Sequence, residues 1–129
     1  MSEAESKMML DQIVEGYARH DFGILAAIDK ERKQIVGFCG LRFVEQGPDI
    51  EVLYGIARED WGKGLATEAA RAVIEDGLDR LRLERIVGMA NPSNIASRRV
   101  LLKVGMKYER RARHKGEDIV FYAISSQPR

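Results

Sequence analysis

Two segments of the chain combine residue types that do chemistry with a spacing that could align them. The first is Trp61-Gly62-Lys63-Gly64, which follows the apolar run Ile50 to Ala57 and precedes a helical pattern starting at Leu65. A helix N-terminus presents unpaired backbone N–H groups and the positive end of the helix dipole. Glycines just before it let the backbone approach an anion with no Cβ in the way. Together they form a pyrophosphate cradle, to which Thr67 adds a hydroxyl and Lys63 a cation. Taken alone, the same glycines also suit a tight strand-to-helix turn. The segment is not a Walker loop, since GxxxxGK[ST] is absent, and it is not GxGxxG, since Thr67 stands three residues after Gly64.

The second segment is Asn91-Pro92-Ser93-Asn94-Ile95-Ala96-Ser97, with Gly105-Met106 closing the helix that it opens. Asn94 suits a helix N-cap and Ser97 a first-turn hydroxyl, so each also has an ordinary structural use.

The elements that must position these segments follow from periodicity. Met8, Met9, Ile13 and Tyr17 predict a helix over Glu3 to Ala18. Phe22 to Ile28 and Gln34 to Val44 read as strands joined by the polar turn DKERK, an antiparallel hairpin. After the turn Gln46-Gly47-Pro48-Asp49, a third strand covers Ile50 to Ala57. Leu65, Ala66, Ala69, Ala70, Val73, Ile74 and Leu78 give one broad apolar face to a helix over Leu65 to Leu81. Arg85 to Ala90 reads as a strand, Asn94 to about Val104 as a helix ended by Gly105, and Met106 to Arg111 and Ile119 to Ile124 as closing strands. Antiparallel pairing at both ends flanks strand–helix–strand in the middle. The expected fold is α+β, with a mixed, mostly antiparallel central sheet and flanking helices, in a single domain over residues 1–129.

Composition narrows the function. Lys plus Arg number 21 and Asp plus Glu 20, a net charge of +1, which excludes a strongly basic or acidic tail. The single cysteine, Cys39, cannot form an internal disulfide, and with two histidines a Cys/His zinc site is not expected. The longest apolar run, Gly23 to Ile28, is too short to span a bilayer, and the first residues carry acids where a signal peptide wants Lys or Arg. The expectation is a soluble cytoplasmic protein with no membrane partner. The basic run Lys107 to Lys115 has only Tyr108 as an aromatic companion and reads as a solvated hairpin, so no nucleic-acid partner is expected.

Taken together, WGKGLATEAA and the later N-x-x-S-x-x-V-x-x-K-x-G resemble the GNAT N-acetyltransferase superfamily, in its RimJ/RimL-like branch. The resemblance spans about Ile35 to Ile124. It implies a direct transfer of acetyl from acetyl-CoA to an amine acceptor, a protein N-terminus or a small-molecule amine. It implies cofactor binding by Trp61, Gly62, Lys63, Gly64, Leu65, Ala66 and Thr67, mostly through backbone amides. The pantetheine arm would lie along Tyr54, Gly55, Ile56 and Ala57, with the N–H of Gly55 or Ile56 polarising the thioester carbonyl. Asn94 matches an asparagine that contacts the arm, and Arg98, Arg99 and Lys103 are phosphate candidates. Glu51 matches a strand glutamate and is the candidate base, with alternation placing it on the face of Leu53 and Gly55. Ser97 is the candidate acid or thiol-positioning group, because the family's tyrosine position is occupied by Leu101. Tyr54 could serve instead, though core packing is its expected use. Trp61 is expected to anchor its turn by packing.

The sequence also departs from the family. Glu59 stands where Gln or Arg is common, and should point to solvent. Only about twenty residues precede Phe22, so the family's first strand and first helix are expected to be missing. An exposed sheet edge then invites a homodimer. The alternative expectation is an acetyl-CoA-binding domain or subunit without catalysis.

Overall fold

The computed structural model describes residues 22–29, 32–44 and 48–126. The helix expected over Glu3 to Ala18 lies outside the described residues. Six strands and two helices follow: β1 (Ile24–Asp29), β2 (Gln34–Phe43), β3 (Ile50–Ile56), a 3₁₀ turn (Arg58–Asp60), α1 (Leu65–Asp79), β4 (Arg85–Ala90), α2 (Ile95–Lys103), β5 (Lys107–His114) and β6 (Glu117–Ser125). The sheet order is β1-β2-β3-β4-β6-β5. Every neighbouring pair is antiparallel except β3 and β4, which run parallel. The mixed, mostly antiparallel α+β architecture read from the sequence is the one observed. No helix among the described residues is long and apolar enough to cross a membrane.

Strand alternation sorts the sheet into two faces. Leu41, Val52, Ile86 and Tyr122 are buried on the face that meets the helices, against Leu65, Val73 and Leu101. Gly77 explains how closely α1 can approach the sheet: a Cβ there would stand 2.9 Å from Ile86 Cδ1 and 3.2 Å from Leu41 Cδ1. α1 stops at Asp79, two residues before the expected Leu81, because Arg82 turns into the left-handed region at φ 58°. β5 and β6 each run past their expected ends, meeting at Lys115-Gly116, both with positive φ.

β3 and β4 are paired only at Glu51 opposite Val87. Beyond that point toward their C-terminal ends the two parallel strands part. α1 begins after β3 and α2 after β4, so both helix N-termini lie at the open end of the gap.

Candidate functional site

β3 supplies one wall of the gap. Ala57 N–H donates across to Val36 O on the β2 side at 2.6 Å. Backbone groups alternate direction along a strand, so the Gly55 N–H also points toward β2, while those of Tyr54 and Ile56 point away from it, into the gap. Of the two amides expected to polarise a carbonyl, alternation therefore favours Ile56 over Gly55. The C=O of Ile56 is already engaged by Trp61 Nε1 at 2.7 Å. Trp61 itself is 64% exposed, which corrects the expectation of anchoring by packing: its indole N–H does that work, and its ring lies open with Arg58 alongside.

The turn into α1 is built on two left-handed glycines, Gly62 (φ 81°) and Gly64 (φ 76°), and a Cβ added at either would meet no atom within 4 Å. Gly64 is the N-cap of α1 and offers no side-chain acceptor to the first-turn N–H groups of Leu65, Ala66 and Thr67, and the space beside it is open. The turn is tied from below. Asp60 is buried and accepts from Lys63 Nζ at 3.0 Å and from Arg32 Nη2 at 2.6 Å. Lys63 beside it, then Arg32, hold the Asp60 carboxyl below the usual carboxylate range despite its desolvation. Lys63 thus keeps its cation at the cradle while anchored to Asp60. Glu59 is exposed, as expected.

A recess of about 340 Å³ adjoins the cradle, lined by Lys63, Gly64, Thr67, Glu68, Arg71 and Lys103. Arg71 was not singled out from the sequence, although it stands one helical turn after Thr67 on the same face. Its Nη2 donates to the Lys103 backbone O at 2.9 Å, joining α1 to the end of α2. Arg99 is exposed on α2. Arg98 is spent on structure, with Nε on Tyr122 Oη at 3.0 Å and Nη1 on Pro92 O at 2.9 Å.

α2 supplies the other groups. Asn94 Oδ1 accepts from Ser97 N at 3.1 Å, the capping bond expected of that residue, and Asn91 Oδ1 fixes the preceding turn through Ser93 N and Oγ. Ser97 Oγ meets Tyr54 Oη at 3.0 Å, and Tyr54 Oη also donates to Ser97 O at 3.2 Å. Tyr54 does pack against the core, as expected, but its hydroxyl bridges to α2. Burial pushes its phenol up, and the bond to Ser97 pulls it back in part. Glu51 lies on the opposite sheet face. It is 4% exposed, and its Oε1 accepts from Arg42 Nε at 2.6 Å. The structure therefore brings Tyr54 and Ser97 together and keeps Glu51 apart from them across the sheet.

The family model described as an acetyltransferase (GNAT) domain matches residues 1–107. The chain belongs to the GNAT acetyltransferase family. The uncharacterized N-acetyltransferase p20 of Bacillus licheniformis is 33% identical over 104 residues, 80% of this chain and 56% of its own length. The solved GNAT-family acetyltransferase of Bacillus anthracis has a TM-score of 0.70 at 28% identity, covering 79% of this chain and 65% of that one. Mycobacterium smegmatis RimJ, solved with CoA-disulfide, has a TM-score of 0.67 at 26% identity, covering 89% of this chain and 60% of that one. This GNAT chain spans less than two thirds of the length of the curated relatives it matches.

Proposed function

We propose that this GNAT chain transfers acetyl from acetyl-CoA to a primary amine, on a protein N-terminus or a small molecule. The observation that carries the reading is the gap between β3 and β4, which opens beside the uncapped glycine turn of α1. The residues present suit acetyl-CoA: open left-handed glycines, free first-turn amides, and Lys63, Arg71 and Lys103 around one recess. Bound there, acetyl-CoA supplies an activated acyl group. Leu65, Ala66 and Thr67 amides hold the pyrophosphate with the helix dipole. Lys63, Arg71, Arg99 and Lys103 draw in the phosphates. Tyr54 and Ile56 offer backbone groups to the arm as an added strand, and the Ile56 N–H faces the thioester carbonyl. Asn94 keeps its amide N–H₂ for the arm while its oxygen caps α2. Glu51 takes the amine proton through a water, and Ser97 positions the sulfur.

Calorimetric titration of acetyl-CoA tests the cofactor half, with Gly64→Trp as the control that fills the cradle. Saturable one-site binding lost in the control is the expected result. A panel of primary amines then tests turnover. A second reading, binding without catalysis, is favoured by the Arg42–Glu51 pair, which already occupies one oxygen of the candidate base. It predicts binding with no turnover on any amine.

We also propose that a second copy of the chain covers β1. The two edges of the described sheet differ sharply. β5 reads KYERRARH, guarded by charge along its length, whereas β1 reads ILAAID. Charged edges resist strand addition and neutral ones invite it. A two-fold pairing centred on Ala26 sets Ile24 against the partner copy's Ile28 and opposes no like charges. Ile35 (70% exposed) and Phe38 (44%) extend the same apolar surface.

A further inference from the structure

Tyr54 and Ser97 are separated by 43 residues and meet through their hydroxyls. They sit at the gap, one on β3 and one on the first turn of α2. Two hydroxyl protons serve this pair. In one arrangement Tyr54 donates to the Ser97 carbonyl and Ser97 Oγ donates to Tyr54 Oη. In the other, Tyr54 donates to Ser97 Oγ, and the Ser97 proton is released to point elsewhere. Both arrangements use the same heavy-atom positions, at 3.0 and 3.2 Å. Hydroxyl rotation alone therefore sets up an outward chain from Tyr54 Oη to Ser97 Oγ, along which a proton can then hop.

A lone serine is a poor acid. A phenol, with an ordinary pKa of about 10, lies far closer to a thiol at about 8.5. The position seven residues after Asn94 carries no phenol here. It is Leu101, 1% exposed and packed over Gly88, where an added Cβ would stand 2.5 Å from its Cδ2. We infer that Tyr54 is the proton source for the departing thiolate, and that the Ser97 hydroxyl relays the proton. This rests on the acetyl-transfer reading above.

The amine nitrogen bonds to the acetyl carbon, and the C–S bond of the thioester breaks with its electron pair on sulfur. Ser97 Oγ gives its proton to sulfur and takes the Tyr54 proton in the same movement. The surplus amine proton leaves through Glu51, and solvent restores the Tyr54 phenol. The phenol is protonated at neutral pH in any environment, the state a donor needs, and burial pushes its pKa further up.

Two measurements test the relay. The first needs no turnover: CoA and desulfo-CoA are titrated calorimetrically into the wild type, Tyr54→Phe and Ser97→Ala. The wild type should prefer CoA about threefold, the scale of one weak S–H bond, Ser97→Ala should lose that preference, and both variants should bind desulfo-CoA normally. Equal affinities in the wild type would mean that the sulfur is not at this pair and would overturn the inference. Failure of both ligands to bind would sink the cofactor reading itself, and the relay with it. The second measurement is steady-state kinetics. Tyr54→Phe and Ser97→Ala should each lower kcat about 10- to 100-fold with KM for acetyl-CoA within about twofold, and the double variant should lose no more than the worse single. Unchanged kcat in Tyr54→Phe, or multiplicative losses, would overturn the relay even if the enzyme reading stands.

Discussion

Arg42 and Glu51 stand opposite each other on β2 and β3, and Arg42 Nε donates to Glu51 Oε1 at 2.6 Å. Glu51 also holds the last paired position before β3 and β4 part. A buried carboxylate at the threshold of the gap needs a partner to offset its desolvation. The half-exposed Arg42 provides that partner while leaving one carboxylate oxygen outside the bond.

The pair leads to a prediction about roles. Glu51→Gln should lower turnover about 100-fold or more and leave acetyl-CoA affinity within about twofold, as expected for a general base remote from the phosphates. Arg42→Ala should lower kcat about 10-fold, and Arg42→Lys should restore part of it, because a lysine can still reach the carboxylate with one charge. Steady-state kinetics beside calorimetry separate the two effects. If Arg42→Ala leaves kcat intact, the pair is structural only.

The sequence made the elements legible because their signals are local. Both helices, β4 and the glycine turn follow from periodicity, capping and positive φ, each written within a few residues. What it left hidden depends on register. Arg42 reaches Glu51 only because the register of β2 on β3 sets the two opposite each other, and no residue type announces that register. Tyr54 and Ser97 share no local pattern, since their contact depends on how α2 crosses the gap. Trp61 misled for a related reason: a lone tryptophan beside glycines suggests packing, yet its N–H found the Ile56 carbonyl and left the ring exposed. Arg71 was readable from its i, i+4 relation to Thr67, but only once the recess gave that helix face a purpose.

The glycine turn gives a second prediction. Gly64 holds φ 76°, so any side chain there is strained, and the space beyond it is open. Gly64→Ala should cost about 1 kcal/mol of stability by thermal unfolding. Gly64→Trp should additionally abolish calorimetric acetyl-CoA binding. Arg71→Ala should weaken that binding about threefold to tenfold and flatten its salt dependence, since it removes one cation from the recess. An Arg71→Ala variant with wild-type affinity would remove Arg71 from the site.

Cys39 yields a pH-dependent prediction. It is fully buried in β2, and burial pushes its thiol up to about 11. The native thiol should therefore resist iodoacetamide at neutral pH and react once urea unfolds the chain. The unfolded thiol ionises first, so the unfolded state binds fewer protons between the two values. Stability contributed by the neutral buried thiol is complete below about pH 9 and falls as pH rises toward 11, by about 3 kcal/mol in all. Urea titrations at pH 8 and 10.5 on wild type and Cys39→Ala check this. The wild type should lose more stability than the variant over that interval.

The β1 edge gives the last prediction. Leu41 N–H donates to Gly23 O at 3.2 Å, so alternation turns the backbone groups of Gly23, Leu25 and Ala27 toward β2 and those of Ile24 and Ala26 outward. Proline at position 26 removes an outward N–H and leaves the β2 ladder intact, the one kind of strand site that tolerates it. Wild-type protein should be a dimer by light scattering at about 100 μM. Ala26→Pro should be a monomer with an unchanged circular dichroism spectrum, and Ile28→Lys should do the same by adding the charge that β5 already carries along its length. A wild-type monomer at that concentration, or a dimer that survives both substitutions, would place the contact elsewhere or remove it. If the dimer is lost and acetyl-CoA binding persists, the edge serves assembly, and the gap between β3 and β4 is complete within one copy.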